Sequence, residues 1–224
     1  VDKDPNKINK LNLGISPIYE PGLNELIKKN FEAGRLNFTT DLKMAVNKSE
    51  IIFICVGTPT KKNSKSVDMI YVYQAVKDII KVTKGKKIVV TKSTVPVGTG
   101  DEIEKLLKKK KLEVISNPEF LREGEAIRDF IYPDRIVVGA NNAKIFKTMK
   151  KLYQPLINKG AKFFTTQRRA SELIKYASNA FLATKITYIN ELANLCEKLD
   201  INIEDISLGI GADNRIGSRF LRAG

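Results

Sequence analysis

Four short segments carry polar side chains of types and spacings that chemistry uses, each where a strand is expected to end. The first is Val1-Asp2. An acidic residue closing the second strand of a dinucleotide fold accepts both ribose hydroxyls, and an ordinary turn aspartate looks the same. The second is Val56-Gly57-Thr58-Pro59-Thr60, where Gly57 admits a ligand to the backbone and Pro59 delays any helix. The third is Lys92-Ser93-Thr94-Val95-Pro96-Val97-Gly98-Thr99. Its two hydroxyls and ammonium, ahead of a proline-stiffened turn, can order a phosphate, a ribose or a water. The fourth runs from Ser116 to Gly124. There Pro118 biases Asn117 towards an extended backbone and places the Glu119 carboxylate off the strand end. Glu123, four residues on, is expected on the same side of a helical turn, so the pair could serve as base, ligand or helix partner. Taken singly, each segment reads equally well as a structural turn.

The elements that must position these segments alternate between strand-type and helix-type runs. Leu36–Thr39 reads as a short strand and Ile51–Val56 as a fully buried one. Lys87–Thr91, Leu112–Ser116, Arg135–Gly139 and Lys162–Thr165 follow. Between them, Leu23–Glu32, Met69–Val82 and Asp101–Lys109 repeat apolar residues at three and four spacings. That rhythm predicts an α/β fold, a doubly wound parallel sheet covered on both faces. In such sheets ligands bind beyond the carboxyl ends of the strands, where the four polar segments lie. From Gln167 to Leu199 there is neither glycine nor proline. One helix of about 30 residues, roughly 45 Å long, is expected there, linking two domains. The expected division is 1–166 and 167–224. Asn202–Leu208 begins a further helix, and Gly209–Gly224 reads as a glycine- and arginine-rich loop.

Composition removes several classes of function. Histidine is absent, which excludes Ser-His, Cys-His and His-based zinc sites together; acid–base work falls to carboxylates, lysine or water. Cys55 and Cys196 fit no metal-ligand spacing and both read as buried core thiols, and no metal is expected. The net charge is +14, but lysine supplies 30 of the 39 basic residues, in runs such as Lys108–Lys111. With arginine sparse and no aromatic-rich basic stripe, those runs read as solvated helix faces, and no nucleic-acid partner is expected. No run is apolar for the roughly 18–20 residues a bilayer requires. A cytoplasmic protein without a membrane partner is expected. The opening Val-Asp-Lys-Asp, lacking a starting methionine, reads as a truncation.

Together and in order, these segments resemble the UDP-glucose/GDP-mannose dehydrogenase family. The resemblance runs from Asp2 to Gly224 and is sharpest over Lys92–Thr99, Asn117–Gly124, Glu172–Ala183 and Asn214–Gly224. The wording after Glu119 (Phe-Leu-Arg-Glu-Gly-Glu-Ala-Ile-Arg-Asp-Phe, then Pro-Asp-Arg) is closer to enzymes of UDP-glucose than of GDP-mannose or UDP-N-acetylmannosamine. The resemblance implies a Rossmann-like sheet, a long linking helix and the start of an all-helical central domain. It also implies NAD as cofactor, a homodimer, and oxidation of UDP-glucose to UDP-glucuronate. That reaction takes two NAD and one water and passes through a cysteine thioester.

Residue by residue, the resemblance implies that Asp2, Lys7, Thr58, Thr94 and Glu123 hold the cofactor. Thr94, Glu119, Lys175 and Asn179 would be catalytic, with Glu119 assisting the hydrolytic water. Substrate would lie against Glu119, Phe120, Leu121, Arg122, Glu123, Lys175, Asn179, Phe220, Leu221, Arg222, Ala223 and Gly224. Lys175 and Asn179, four apart on one helix, can stabilise a developing oxyanion; alone, Lys175 reads as a snorkelling surface lysine. The family's glycine-rich strand–turn–helix and its nucleophilic cysteine have no match in the 224 residues, and neither Cys55 nor Cys196 takes the latter's place. The sheet is therefore expected to lack its first strand, to expose apolar strand edges, and to be inactive alone.

Overall fold

The structure, a computed structural model, describes every residue except Asn63, Lys65 and Lys111. The chain folds as two compact units, Val1–Leu173 and Ile174–Gly224. The first unit opens with three helices, α1 (Pro5–Asn12), α2 (Leu23–Glu32) and α3 (Leu42–Lys48). There follow β1 (Ile51–Ile54), α4 (Ile70–Val82), β2 (Ile88–Thr91), α5 (Thr99–Leu107) and β3 (Glu113–Ser116). α6 (Ala126–Ile131), β4 (Arg135–Gly139), α7 (Ala143–Ile157) and β5 (Lys162–Thr166) complete the alternation. α8 (Arg168–Leu199) begins in this unit and runs on into the second, which adds α9 (Ile203–Gly211).

The strands form one sheet in the order β1-β2-β3-β4-β5. β1, β2 and β3 are mutually parallel, with Ile54 opposite Thr91 and Thr91 opposite Ser116. Their carboxyl ends therefore share one rim. β4 and β5 are parallel to each other, but β4 meets β3 antiparallel, through Ser116 and Gly139. The all-parallel expectation is corrected at that junction. Residues 117–134 stay beyond the rim, pinned by side chains described below, so β4 re-enters the sheet from that end and runs the opposite way.

Side-chain alternation along the strands supplies two cores. Val89, Val114 and Ile54 point into a cluster with Val72, Val76 and Ile79 of α4 and Ile103 and Leu107 of α5. Val90 and Ile115, their neighbours in sequence, point the other way, with Ile136, Val138, and Ile145, Met149 and Tyr153 of α7. The sheet is doubly wound, as its period predicted. Burying each such aliphatic side chain stabilises by about 1.5–3 kcal/mol, which is why short strands of four residues persist.

Several expectations are corrected. Leu36–Thr39 forms no strand; the amide of Asp2 donates to the Thr39 carbonyl at 3.3 Å, and so short a flank provides no ladder. β1 ends at Ile54 and is not fully buried: it lies at the sheet edge, and Phe53 is exposed. Cys55, just past that strand end, is exposed as well, although crowding by protein pushes its thiol pKa up. Cys196 is buried as expected. Past α5 the chain tightens into a 3₁₀ turn over Lys108–Lys110, and Lys111, the end of that basic run, lies outside the described residues. In the second unit α9 continues to Gly211, three residues into the expected loop.

Candidate active site

The rim of the first unit is built from strand ends whose backbones are fastened to one another. Ser93 donates its hydroxyl to the Val56 carbonyl at 2.7 Å, and Asp68 donates its amide to the Pro59 carbonyl at 2.7 Å. The loop carrying Gly57 and Thr58 is thereby tied to the turn carrying Thr94, and both threonines are half-buried. A Cβ built on Gly57 would meet nothing within 4 Å, so this loop presents open backbone. On the far side of β2, the Asn117 amide donates to the Thr91 carbonyl at 3.0 Å and extends the β3 end along β2.

Glu119 lies one step further. Its Oε2 accepts an ion pair from Lys92 Nζ at 3.0 Å, with the lysine side chain 16% and the glutamate 31% exposed. Its Oε1 accepts the Phe120 amide at 2.6 Å. The Lys92 ammonium also lies 5.9 Å from the centre of the Tyr153 ring. Tyr153 donates its hydroxyl to Asn117 Oδ1 at 2.5 Å, and Asn117 Nδ2 donates to the Val137 carbonyl at 2.8 Å. Burial, reinforced by the Glu119 charge, raises the Tyr153 phenol's pKa, so it remains a donor at neutral pH. A half-shielded carboxylate is thus held by one cation and one amide, on a base of buried hydrogen bonds.

The segment after Glu119 differs from expectation. No helical turn forms between Glu119 and Glu123. Gly124 has a φ of +82°, and Glu123 sits in an exposed turn. The Arg122 amide and guanidinium both bond the Asp129 carboxylate, at 3.0, 2.9 and 2.7 Å, and the guanidinium reaches Glu125 at 2.5 Å. These bonds take the place of helical ones, and hydrogen bonds from Arg122 hold the Asp129 carboxyl below its ordinary range. With Asp129 and Glu125 as partners, Arg122 orders its own segment. Glu20, from the loop before α2, accepts the Gly124 amide at 2.9 Å and the Ala126 amide at 2.7 Å. Phe120 lies beneath the Arg135 guanidinium, 4.3 Å from the ring centre, and Leu121 is half-buried.

At the amino end of this unit, Asp2 and Lys7 are brought together. Lys7 Nζ lies 3.4 Å from Asp2 Oδ2, while Oδ1 accepts the Asp4 amide at 3.0 Å. That backbone hydrogen bond, aided by Lys7, lowers the Asp2 pKa. Asp2 keeps its side chain 37% exposed, so an ionised acceptor with one lightly used oxygen faces outward. Nearer the sheet, Thr91 Oγ1 at the rim end of β2 is buried and has no protein partner among the described residues. An open glycine loop, a partly exposed acidic acceptor and an orphan hydroxyl fit a bound dinucleotide. Among the described residues no group of three or more Cys, Asp or Glu could hold a metal ion, and no helix is long and apolar enough to cross a membrane.

The remaining residues of interest lie in the second unit. Lys175 is half-buried and Asn179 exposed, four apart on α8 and hence on one face. Phe220 has a φ of +64° and is partly exposed, whereas Leu221 is buried. The Leu221 carbonyl accepts Ser207 Oγ at 2.8 Å, and the Gly224 amide donates to Asn190 at 3.2 Å. Arg222 is exposed and Ala223 half-buried. Lys185 donates to the Ile216 carbonyl at 3.0 Å, holding the chain that leads into this strap.

Sequence reasoning missed Lys92 as the partner of Glu119, Tyr153 and Asn117 beneath it, and Glu20 as the cap of the following segment. Tyr-Glu-Pro-Gly at 19–22 was a readable turn signal for the last; the first three are paired only by the fold.

A dinucleotide-binding α/β unit followed by a long helix is thus the class that sheet, rim and acceptors define. The chain belongs to the UDP-glucose/GDP-mannose dehydrogenase family: residues 1–157 match its NAD binding domain and residues 169–224 its central domain. It is 53% identical over 231 residues to UDP-glucose 6-dehydrogenase of Rhizobium meliloti (strain 1021), covering 100% of this chain and 53% of that protein. With the UDP-glucose 6-dehydrogenase of Rickettsia felis the identity is 51% over 226 residues, covering 100% and 50%. Among solved structures, a UDP-glucose dehydrogenase from Pyrobaculum islandicum aligns at a TM-score of 0.93 and 36% identity, covering 99% of this chain and 52% of that one. A GDP-mannose dehydrogenase from Pseudomonas aeruginosa aligns at 0.88 and 33%, covering 100% and 53%. The chain spans about half the length of these relatives.

Proposed function

We propose that the complete protein oxidises UDP-glucose to UDP-glucuronate with NAD, as a cytoplasmic homodimer. The observation that carries this is the Lys92–Glu119 ion pair at 3.0 Å, beside the Thr94 turn at the sheet rim. It stands within a chain matched end to end by UDP-glucose 6-dehydrogenases. Residues 1–166 serve as the NAD-binding domain and 167–224 as the start of the central substrate and dimerisation domain.

Asp2, Lys7, Thr58, Thr94 and Glu123 would hold the NAD, which supplies the hydride acceptor. Glu119 is the carboxylate that takes a proton from the hydrolytic water, and Lys92 keeps it aimed. Thr94 orders that water beside the reacting carbon. Lys175 and Asn179 stabilise the negative oxygen that develops as an alcohol carbon is oxidised. Glu119, Phe120, Leu121, Arg122, Glu123, Phe220, Leu221, Arg222, Ala223 and Gly224 would contact the nucleotide sugar. The dimer reading is supported by large apolar side chains exposed on the second unit: Phe181, Tyr188, Leu199 and Leu208.

The test is NADH formation by the complete polypeptide with UDP-glucose, GDP-mannose or UDP-N-acetylmannosamine. Turnover restricted to UDP-glucose is expected; preference for another sugar, or none, overturns the assignment. In the same protein Glu119→Gln is expected to reduce kcat by about 10²-fold while leaving the Kd for NAD within a factor of about two. Unchanged kcat would remove Glu119 from the chemistry.

A further inference from the structure

Glu172 lies on the first turns of α8 and is 3% exposed. A buried carboxylate must find donors or bear the cost of desolvation. Its donors here are not cations: among the described residues none of the ion pairs includes it. Oε2 accepts the Gly98 amide at 2.6 Å, and Oε1 accepts the Gly100 amide at 2.8 Å and Ser116 Oγ at 3.0 Å. The two amides belong to the amino end of α5, whose N-cap residue is Gly98 with a φ of +95° and no capping side chain of its own. Glu172 thus supplies, from more than seventy residues away in sequence, the anionic cap that α5 lacks.

The same carboxylate sits at the rear of the Lys92–Thr99 turn. Ser93 anchors the front of that turn on the Val56 carbonyl at 2.7 Å, and Val95 is buried between the two anchors. Thr94 hangs between them. Gly100 shows how closely the rear anchor fits: a Cβ there would lie 2.9 Å from Glu172 Oε1, 3.0 Å from Ser116 Oγ and 3.1 Å from Arg168 Cδ. Ser116 ends β3, so Glu172 also ties the Thr94 turn to the strand that leads to Glu119.

We infer that Glu172 is a positioning residue, fixing the Lys92–Thr99 turn through the Gly98 and Gly100 amides and Ser116, and thereby placing Thr94. This deepens the dehydrogenase reading and rests on it. Charge-assisted bonds from the Gly98 and Gly100 amides to the two carboxylate oxygens hold direction as well as distance, which a neutral amide side chain, with a single oxygen, cannot reproduce.

The test uses the complete protein and the variants Glu172→Gln, Thr94→Ala and their combination. In Glu172→Gln, kcat with UDP-glucose is expected to fall by about tenfold or more, with KM within about twofold. In the Thr94→Ala background the same change should have little further effect, because Glu172 acts through Thr94. Fully additive losses would mark general destabilisation and overturn the inference. Hydrogen exchange of peptides covering Ser93–Leu107 is a second readout that needs no turnover. Exchange about tenfold faster in Glu172→Gln than in wild type supports the latch, and unchanged exchange overturns it. Should Glu172→Gln fail to fold, Ser116→Ala removes one of the three bonds, and a smaller shift in the same direction is expected; no shift overturns the inference. A wild-type protein that makes no NADH would defeat the dehydrogenase reading, while exchange would still decide the latch.

Discussion

Replacing Gly139 by alanine is expected to destabilise the protein by about 3 kcal/mol, lowering Tm by roughly 6–12 °C. Gly139 is the last residue of β4, where the start of α8 crosses the sheet. A Cβ there would lie 2.5 Å from Ser171 Cβ, 2.8 Å from Arg168 Cα and 2.9 Å from the Gln167 carbonyl oxygen. Two of these three are backbone atoms, so no rotamer change relieves the clash. The helix start must move, and with it Ser171, whose hydroxyl donates to the Ser116 carbonyl at 3.0 Å. Gly57→Ala is the control: nothing lies within 4 Å of its Cβ position, so Tm should shift by no more than about 2 °C. Thermal unfolding of the two variants by circular dichroism decides it; equal Tm values would mean that α8 does not dock where these distances place it.

The second large effect comes from charge. Arg168 is 2% exposed, and its guanidinium bonds Asp101 at 3.1 and 2.8 Å and Glu104 at 2.8 and 2.6 Å. Asp101→Asn combined with Glu104→Gln leaves a buried cation without its counter-charges. A loss of about 3 kcal/mol is expected. The effect must depend on pH with a definite sign. Hydrogen bonds from Arg168 hold the two carboxyls below their ordinary 3.8 and 4.5, against the opposing pull of burial. A group depressed in the folded state stabilises fully above its unfolded pKa and loses that contribution as pH falls through the folded one. Wild type should therefore lose stability faster than the double variant as pH drops from about 5 to 3, and the gap seen at pH 7 should close. Urea midpoints at pH 7 and pH 4 measure this. A gap of the same size at both would show that the carboxylates do not act by charge.

Strand and helix periods made the sheet legible: β4 was bounded by the pattern at Arg135 and Gly139, and α2 at Leu23 and Glu32. The errors cluster where a pattern needs a neighbour. Leu36–Thr39 has strand composition but finds only Asp2 beside it, and without a ladder its backbone stays irregular. Ile51–Val56 is apolar enough for a central strand, yet β1 lies at an edge, which leaves Phe53 and Cys55 exposed. Glu119 and Glu123 are four apart, but that spacing means one face only in a helix. Gly124 and the Arg122–Asp129 pairing keep the segment out of one.

Residue types and their order were enough to announce two-sided strands and a long uninterrupted helix, because each depends on local period or composition. Which carboxylate meets which donor was beyond their reach. Glu119 with Lys92, Glu172 with Gly98 and Gly100, and Arg168 with Asp101 and Glu104 are separated by roughly 25 to 75 residues in the chain. Chain folding joins them, and at such separations the partner is chosen by the sheet's order and the path of α8 rather than by any local preference. Only packing in three dimensions could make the choice, since a shielded charge pairs with whichever complementary groups the fold brings within about 3 Å.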